Sequence, residues 1–484
     1  MKLLYDLKDR PKTSQVIVFA LQQILAVMAA TIAVPIIVGN GLTPAAAMFG
    51  AGVGTITYLL FTKFKSPVFV GSSFAFIKSM LAAFAGGISM SLGWLGLILG
   101  AAFAGLVYVI LGLLTKFVGT KWLDKIMPTV VVGPTVAIIG LSLAGSAISD
   151  LIKGDVYESV SSYSLSIVDG TPTIMNNMVD QVVTSPWIAL LCGLIALFVA
   201  MLCSTYGKNT IKLIPFIIGI IAGYLVASIF TIFGNIYGIN ALKVINFNVF
   251  PQYMLENGVT IKTFISVPSF VFTKAFSSIN ELSIQYVLTI LIAYVPVAFV
   301  AFAEHIADHK NLSYIIEHDL LKDPGLHCTL FGDGVGSAVG AFFGGCPNTT
   351  YGESVACVAL TRNASVITSL ATAIGCIIFS FLTPLVAFID SIPPCVMGGI
   401  CIALYGFIAV SGLKMIQSIN LDDNKNLFVV SIILITGIGG LELSFGSITL
   451  TEIAVALILG VVTNILLSRK KKETTKQDSE SINM

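Results

Sequence analysis

The chain has 484 residues, of which 56% are hydrophobic and only 11% are charged, and its formal net charge at pH 7 is +1. Soluble domains carry about 25% charged residues. The composition therefore excludes a soluble protein, and the balanced charge leaves no basic surface of the kind that binds nucleic acid. A mean hydropathy of +0.95 instead predicts an all-α polytopic membrane protein.

Apolar runs long enough to cross a bilayer, about 17 to 25 residues each, occur along the whole chain. They predict about fourteen transmembrane spans, seven in each half. The first set is 14–38, 44–62, 67–86, 90–115, 127–149, 184–204 and 210–234. The second set is 285–306, 327–345, 346–361, 364–389, 393–413, 427–444 and 449–468.

Basic residues occur in alternate loops between these spans. They precede the first span and follow the even-numbered ones, as at Lys63, Lys121 and Arg362, whereas the loop 150–183 is acidic. Because Lys and Arg stay on the cytoplasmic side, we expect a multi-pass protein of the cytoplasmic membrane with both termini in the cytoplasm. The polar residues 469–484 are expected to form a disordered cytoplasmic tail.

The odd number of spans in each half predicts an inverted repeat, because the second half then enters the membrane in the opposite orientation, as in many secondary transporters. Residues 72–76 (SSFAF) and 349–353 (TTYGE) also share a pattern of two hydroxyl residues, an aromatic residue and a small residue. Each pattern follows a proline, Pro67 or Pro347, that cannot continue a helix from upstream. We predict an extended piece and a half-helix in each span, and a site where the two pieces meet.

Ionisable residues within spans are functional candidates, because a charge at that depth is costly. Glu353 follows the extended piece of the tenth span, and Asp333 lies in the ninth. Glu304 and Asp308 are four residues apart at the end of the eighth span and share a helix face. For His309, at the same span end, the sequence favours an interfacial position.

No cofactor and no metal site are expected. His305 and His309 have the spacing of a metal-binding pair, but they lack the H-E-x-x-H order, and we interpret the histidines as helix caps or as facing the cytoplasm. The eight cysteines have neither zinc-site nor disulfide-framework spacing and are interpreted as reduced hydrophobic residues. No catalytic motif is present, so an enzyme is not expected.

Lys78 is the one lysine that we place inside a span, shortly after the first extended piece. It either pairs with a carboxylate of the site, Glu353 or Asp308, or extends its ammonium group toward an aqueous cavity. Glu442 and Glu452 border the last two spans, and we expect them to face the outside.

A set of short motifs is spread from about residue 14 to 468. They are LQQILAVMAATIAVP, GSSFAFI, AEHIADH, DLLKDPGLH, PNTTYGES, ALTR, and IPPCVMGGI followed by LYG. In these motifs the chain resembles the nucleobase-ascorbate transporter (nucleobase:cation symporter) family, and within it the branch of bacterial uracil permeases.

The resemblance implies a fold of fourteen spans in two inverted seven-span repeats, with short antiparallel strands in the broken spans 3 and 10. It implies a core domain made of residues 14–115 and 285–389, and a gate domain made of residues 127–234 and 393–468. It further implies a homodimer that takes up a nucleobase together with a proton.

The resemblance also implies the site residues. Glu304 and Glu353 match the carboxylates that hold the base, and the backbone amides of Phe74 and Gly352 match the donors to its carbonyl oxygens. Glu304 or Asp308 would carry the proton. The remaining positions implied around the substrate are Ser73, Tyr351, Tyr405 and Ala30. Uracil suits such a site, because its ring offers two N–H donors and two carbonyl acceptors.

We therefore expect proton-coupled uracil uptake by an elevator-type movement of core against gate. The alternative is a xanthine or purine:proton symporter of the same family; Asp308, where the uracil permease has histidine, favours it, and Glu353 disfavours it. A remote alternative is an anion transporter with the same inverted-repeat fold. The chain also departs from the family pattern at Gln23, in place of histidine, and at Ser354, in place of asparagine.

Overall fold

The computed structural model describes residues 3–119, 128–168, 171–208, 210–254, 258–445 and 448–481. The first helices are α1 (Thr13–Val38), α2 (Pro44–Phe61), α3 (Ile77–Ala82), α4 (Met90–Val118), α5 (Thr129–Ser142), α6 (Ala144–Leu151), α7 (Pro186–Tyr206), α8 (Thr210–Leu213) and α9 (Pro215–Tyr237). They are followed by α10 (Val249–Met254), α11 (Phe272–Ala275), α12 (Ile284–Ile316), α13 (Leu326–Gly344), α14 (Gly352–Thr361), α15 (Val366–Ser380), α16 (Thr383–Asp390), α17 (Pro394–Gln417), α18 (Asn424–Ile438) and α19 (Glu452–Ser481).

The described strands form antiparallel pairs. β1 (Val70–Ser72) pairs with β4 (Asn348–Thr350), β2 (Tyr157–Val168) with β3 (Thr171–Val182), and β5 (Leu443–Phe445) with β6 (Ile448–Leu450). The β2–β3 hairpin occupies the acidic loop 150–183, for which the sequence predicts no strand.

Long apolar helices account for most of the fold. Within the described ranges, eight helices are long and apolar enough to cross a bilayer: α1, α2, α4, α5 continued by α6, α7, α9, α12 and α17. Shorter apolar helices are α14, α15, α18 and the part of α19 up to Ser468. The predicted all-α polytopic membrane protein is confirmed, and the count of about fourteen spans stays a prediction.

The third and tenth spans are both interrupted, as the sequence predicts. In the third span, β1 leads through a 3₁₀ turn (Phe74–Phe76) into the short helix α3. In the tenth span, β4 leads into α14, which begins at Gly352. The two strands run antiparallel, and their register pairs Val70 with Thr350, Gly71 with Thr349, and Ser72 with Asn348. The short strands expected in spans 3 and 10 are thus confirmed, and they join the two halves of the chain.

Two segments differ from the sequence-based expectation. The eleventh span, 364–389, consists of two helices, because Pro384 in the first turn of α16 has no N–H group to continue α15. The last helix continues through residues 469–481, where we predict a disordered tail covering 469–484; Lys, Glu and Gln in this run are good helix formers. Residues 482–484 lie outside the described residues.

One compact unit of the chain comprises Met1–Leu143, Ile265–Val386 and Leu404–Met484. Within it, α13 packs against α2 and α4. The helices approach closely, because a Cβ atom on Gly50 would collide with the carbonyl oxygen of Gly340, and one on Gly105 with that of Gly334. Glycine at such contacts lets helix backbones touch inside a membrane.

A second compact unit comprises Ala144–Phe264 and Ala387–Ala403. In it, α7 packs against α9, and the hydroxyl groups of Tyr224 and Ser391 are hydrogen bonded at 2.8 Å. The predicted core and gate domains have other boundaries than these units, and that division stays a prediction.

Candidate functional site

The β1–β4 ladder fixes the backbone of the candidate site, and all its residues are buried. Thr55 of α2 bonds both backbone groups of Val70 in β1. Its Oγ1 donates to the Val70 carbonyl at 3.0 Å and accepts from the Val70 N–H at 3.1 Å. Asn348 Nδ2 donates to the Gly50 carbonyl at 3.1 Å. These bonds satisfy polar groups that lipid could not solvate, so irregular backbone is stable at this depth.

A cavity of about 40 Å³ lies at the end of this ladder, with room for only a few water molecules. Six of the eight predicted substrate-binding residues line it: Ser73, Phe74, Glu304, Tyr351, Gly352 and Glu353. Its other wall residues are Ala75, Ile139, Thr349, Thr350 and Ile408. The structure thus brings the two interrupted spans and α12 together around one space.

Carboxylates from two helices face this region. Glu304 of α12 and Glu353 of α14 both line the cavity, and each is half-buried. Asp308, one turn beyond Glu304, accepts a hydrogen bond at its Oδ2 from Thr350 Oγ1 at 3.1 Å. The four-residue spacing in α12 therefore places both of its carboxylates toward β4, as the sequence predicts.

The first turn of α14 presents backbone to the cavity. Gly352 is its first residue and is exposed, and a Cβ atom there would meet only Asp308 Oδ1, at 3.9 Å. The open N–H groups of a helix start carry partial positive charge, which favours acceptor atoms of a ligand. Glu353 in the same turn supplies acceptor oxygens, so α14 offers both hydrogen-bonding roles at one place.

Tyr351 forms part of the cavity wall. Its hydroxyl donates to the Ser72 carbonyl at 2.7 Å and accepts from Thr31 Oγ1 at 3.4 Å. Tyr351 therefore connects α1, β1 and the start of α14 and holds the cavity wall in place.

Two predicted residues, Tyr405 and Ala30, are absent from the cavity lining. The Tyr405 ring contacts the Phe74 ring edge-to-face, with 5.7 Å between centroids, and so supports a residue of the wall. Ala30 is buried in α1, next to Thr31.

The histidines of α12 point inward, so their interpretation as caps or cytoplasm-facing groups is wrong. His305 and His309 are both fully buried. His305 contacts Asp333 Oδ2 through Nδ1 at 2.7 Å and Thr329 Oγ1 through Nε2 at 3.0 Å. His309 Nδ1 donates to the His305 carbonyl at 2.7 Å, and its Nε2 is 2.6 Å from the Tyr58 hydroxyl.

The protonation of His309 Nδ1 follows from these contacts. A carbonyl oxygen can only accept, so Nδ1 carries a proton, while the Tyr58 hydroxyl beside Nε2 donates to Ser66 Oγ at 2.8 Å. The network joins α12 to α2 and α13 and explains why polar residues recur on this helix face. Among the residues that the structure describes, no three His, Cys, Asp or Glu side chains are grouped to hold a metal ion.

A buried hydrogen bond joins the two positions at which the chain departs from the family pattern. Gln23 Nε2 of α1 donates to Ser354 Oγ of α14 at 3.0 Å. The same hydroxyl oxygen accepts from the backbone N–H of Phe69 at 3.1 Å, and Gln23 Oε1 accepts from Thr372 Oγ1 at 2.9 Å. These contacts hold the residue next to Glu353.

Lys78 pairs with a carboxylate, but with neither of the two that we named. Its Nζ lies 3.2 Å from Glu452 Oε1, at the start of α19, and Glu452 is only 2% exposed. The predictions of Glu353 or Asp308 as its partner are therefore wrong. The position of Glu452 at the outer end of its span stays a prediction, although its side chain is buried within the protein. An apolar run does not determine how α19 is rotated about its axis, and this rotation turns Glu452 inward.

A helical membrane protein in which two interrupted spans from opposite halves meet at a carboxylate-lined cavity has the architecture of a secondary transporter. A family model described as a permease family matches residues 14–446. The chain belongs to this family, the nucleobase-ascorbate transporters, and the predicted membership is confirmed.

Relatives in the family match over nearly their full length. The uracil permease of Bacillus subtilis is 35% identical over 476 residues, covering 98% of this chain and 97% of the relative. The uracil permease of Bacillus caldolyticus is 34% identical over 470 residues, covering 96% and 95%. Among solved structures, the murine anion transporter Slc26a9 aligns with a TM-score of 0.61 at 11% identity, over 96% of this chain and 69% of that one. This last likeness concerns the fold alone.

Proposed function

We propose that the protein takes up uracil across the cytoplasmic membrane together with a proton, by elevator-type alternating access. One observation carries this proposal: carboxylates from α12 and α14 line the same cavity as the N-terminal turn of α14. The names of the two bacilli's permeases support uracil as the substrate.

Uracil's hydrogen-bonding pattern complements the groups at the cavity. Its two ring N–H groups donate to Glu304 and Glu353, and its carbonyl oxygens accept from the backbone amides of Gly352 and Phe74. A hydrogen bond to a charged group contributes about 1.5–3 kcal/mol. A ligand that lacks the matching donor leaves a buried acceptor unsatisfied, and selectivity follows from that loss.

A proton on Glu304 or Asp308 supplies the coupling. Three carboxylates lie around a small cavity between helices, and each negative charge there is costly in a low-dielectric environment. Protonation removes one of these charges, and so lowers the cost of closing the site around its ligand. Thr350 keeps Asp308 oriented toward β4 in either state, because its hydroxyl can donate or accept.

The cavity size supports a movement of the protein during transport. With about 40 Å³, the space must widen to admit a heterocyclic ring. In the proposed cycle the core (14–115 and 285–389) moves against the gate (127–234 and 393–468). The protein works as a homodimer with both termini in the cytoplasm, in line with the alternating basic loops.

Purified protein in proteoliposomes tests the proposal. Radiolabelled uracil should accumulate when the outside is more acidic than the inside, and a protonophore should abolish the accumulation. Uptake that ignores the protonophore contradicts the proton coupling, and absence of saturable uracil uptake contradicts the substrate.

A purine or xanthine symporter is the second candidate, because Asp308 occupies a position where the uracil permeases have histidine. Competition of labelled uracil by unlabelled uracil, xanthine, guanine and hypoxanthine separates the two. If xanthine competes at lower concentration than uracil, the second candidate is correct. An anion transporter rests on fold likeness alone, and the carboxylates at the cavity disfavour an anion.

A further inference from the structure

A second and much larger cavity, of about 650 Å³, lies in the same compact unit. We call it the outer cavity. Its lining includes Lys78, Leu81, Ile88, Glu442 and Thr451. These residues lie near ends of spans that the basic-loop pattern assigns to the outside. The volume is within the range of ordinary small-molecule pockets, about 300–1,000 Å³.

The polar groups of the outer cavity are arranged around the ion pair of Lys78 and Glu452. Glu452 has one oxygen, Oε1, 3.2 Å from Lys78 Nζ, while Oε2 is buried without a hydrogen-bond partner among the described residues. Thr451 Oγ1 is likewise buried and, in the described part of the chain, without a partner. A threonine directly before a helix commonly caps that helix with its hydroxyl. Thr451 lines the cavity, and its hydroxyl makes no such bond in the described part of the chain.

One segment of the chain contributes to the linings of both cavities. Ser73, Phe74 and Ala75 line the site cavity, and the next residues of the same segment, Lys78 and Leu81, line the outer cavity. With a rise of about 1.5 Å per residue, Lys78 follows Ser73 by about 8 Å along the segment. The segment 73–81 therefore contributes to both linings.

The lining fits a neutral ring that carries both donors and acceptors. Lys78 donates, Glu442 accepts, and Thr451 can do either, while Leu81 and Ile88 offer apolar surface to a ring face. Glu452 pairs with Lys78, and Glu442 lies beside Glu452, so two carboxyl groups face one ammonium group. That balance disfavours an anion.

We propose that the outer cavity is a second binding site for a neutral nucleobase, occupied before the base reaches the carboxylates of the site cavity. This inference rests on the proposed function, because it takes its ligand from there. The outer site binds more weakly than the inner one, since its volume exceeds that of a single base and leaves water around the ligand.

Equilibrium binding of radiolabelled uracil to the purified full-length protein tests the inference. We expect two saturable phases in the unmodified protein. Glu353→Gln should remove the tighter phase, whereas Thr451→Val and Glu442→Gln should each weaken the other phase at least tenfold. Thr451→Val keeps the shape of the side chain, so the fold is retained. Glu281→Gln is the matched control, because Glu281 bonds Ser89 and is not part of the cavity lining; both phases should persist.

The possible outcomes distinguish the outer site from the proposed function. If binding has a single phase, which Glu353→Gln abolishes and Thr451→Val leaves unchanged, the outer site is overturned and the proposed function stands. If binding has two phases, and Glu353→Gln removes neither while Glu442→Gln removes one, the outer site is supported and the assignment of Glu353 is overturned. No saturable uracil binding in the unmodified protein overturns both.

Discussion

Gln23 on α1 donates a hydrogen bond to Ser354 on α14, across 331 positions of the sequence and at 3.0 Å. The bond is buried, and Ser354 Oγ also accepts from the N–H of Phe69, just before β1. One hydroxyl group therefore connects α1, the third span and the half-helix that carries Glu353. The two departures from the family pattern are a contacting pair, which explains how a change at one position can accompany a change at the other.

Replacing Ser354 by alanine should loosen this junction. Two buried N–H donors, those of Gln23 and Phe69, lose their acceptor, at a cost of about 1–3 kcal/mol each. Thermal unfolding of purified Ser354→Ala should occur at a lower temperature, and uracil affinity should fall because Glu353 is adjacent. A double-mutant cycle with Gln23→Leu should show a coupling energy of about 0.5–3 kcal/mol. Strict additivity would contradict the contact.

Glu353→Gln should weaken uracil binding about 10- to 100-fold, since a charge-assisted hydrogen bond of about 1.5–3 kcal/mol becomes a neutral one. The amide also presents an N–H₂ group to a ligand donor. Isothermal titration with uracil measures the change. Cys357→Ser on the same helix is a control that should retain binding, and unchanged affinity in Glu353→Gln would remove this residue from the site.

Asp308→Asn should separate binding from proton coupling. The asparagine oxygen can still accept the hydrogen bond from Thr350 Oγ1, so the geometry of β4 is retained. Loss of the titratable group should abolish accumulation driven by a proton gradient, while exchange of labelled for unlabelled uracil continues. If Asp308→Asn still accumulates uracil and remains sensitive to the protonophore, Glu304 carries the proton alone.

Lys78→Met should destabilise the protein by about 3–5 kcal/mol, because it leaves the buried carboxylate of Glu452 without its cation. Thermal unfolding measures this, and a second change, Glu452→Gln, should restore most of the loss. Lys65→Met is the matched control: its partner Asp323 is half exposed, and an exposed pair contributes about 0–1 kcal/mol. Equal effects of the two lysine changes would contradict the difference in burial.

Asp155 gives a pH-dependent prediction. It lies outside the spans, between α6 and β2, and burial raises the pKa of its carboxyl group from 3.8 to about 6. A raised pKa means that the folded state holds the proton more tightly than the unfolded state, so Asp155 lowers the free energy of unfolding as the pH rises from about 4 to 6. Asp155→Asn should therefore raise the unfolding temperature at pH 7.5 and change it little at pH 4. An equal effect at both pH values would contradict the shift.

The sequence predicts the interrupted spans because their signals are local. Pro67 and Pro347 exclude helix from upstream, and a polar run at membrane depth requires buried or wetted backbone. The four-residue spacing of Glu304 and Asp308 likewise gives their common face directly. These features lead to the β1–β4 ladder and to most of the cavity wall.

Other features depend on how helices rotate and dock, which local pattern does not determine. The inward direction of His305 and His309 requires Asp333 and Tyr58 on other helices as partners. The pairing of Lys78 with Glu452 joins segments that are far apart in the chain. The sequence does not predict the β2–β3 hairpin, because a polar loop and a polar hairpin have similar composition.

The β1–β4 ladder also limits the routes by which a passage through the protein can open. Parting its three residue pairs would expose backbone N–H and C=O groups at membrane depth, and each unsatisfied group costs several kcal/mol. A pore that opened between β1 and β4 would therefore carry a high free-energy cost. The proposed elevator-type movement avoids this cost, because the ladder stays paired while the bound molecule and the groups that hold it would change sides together.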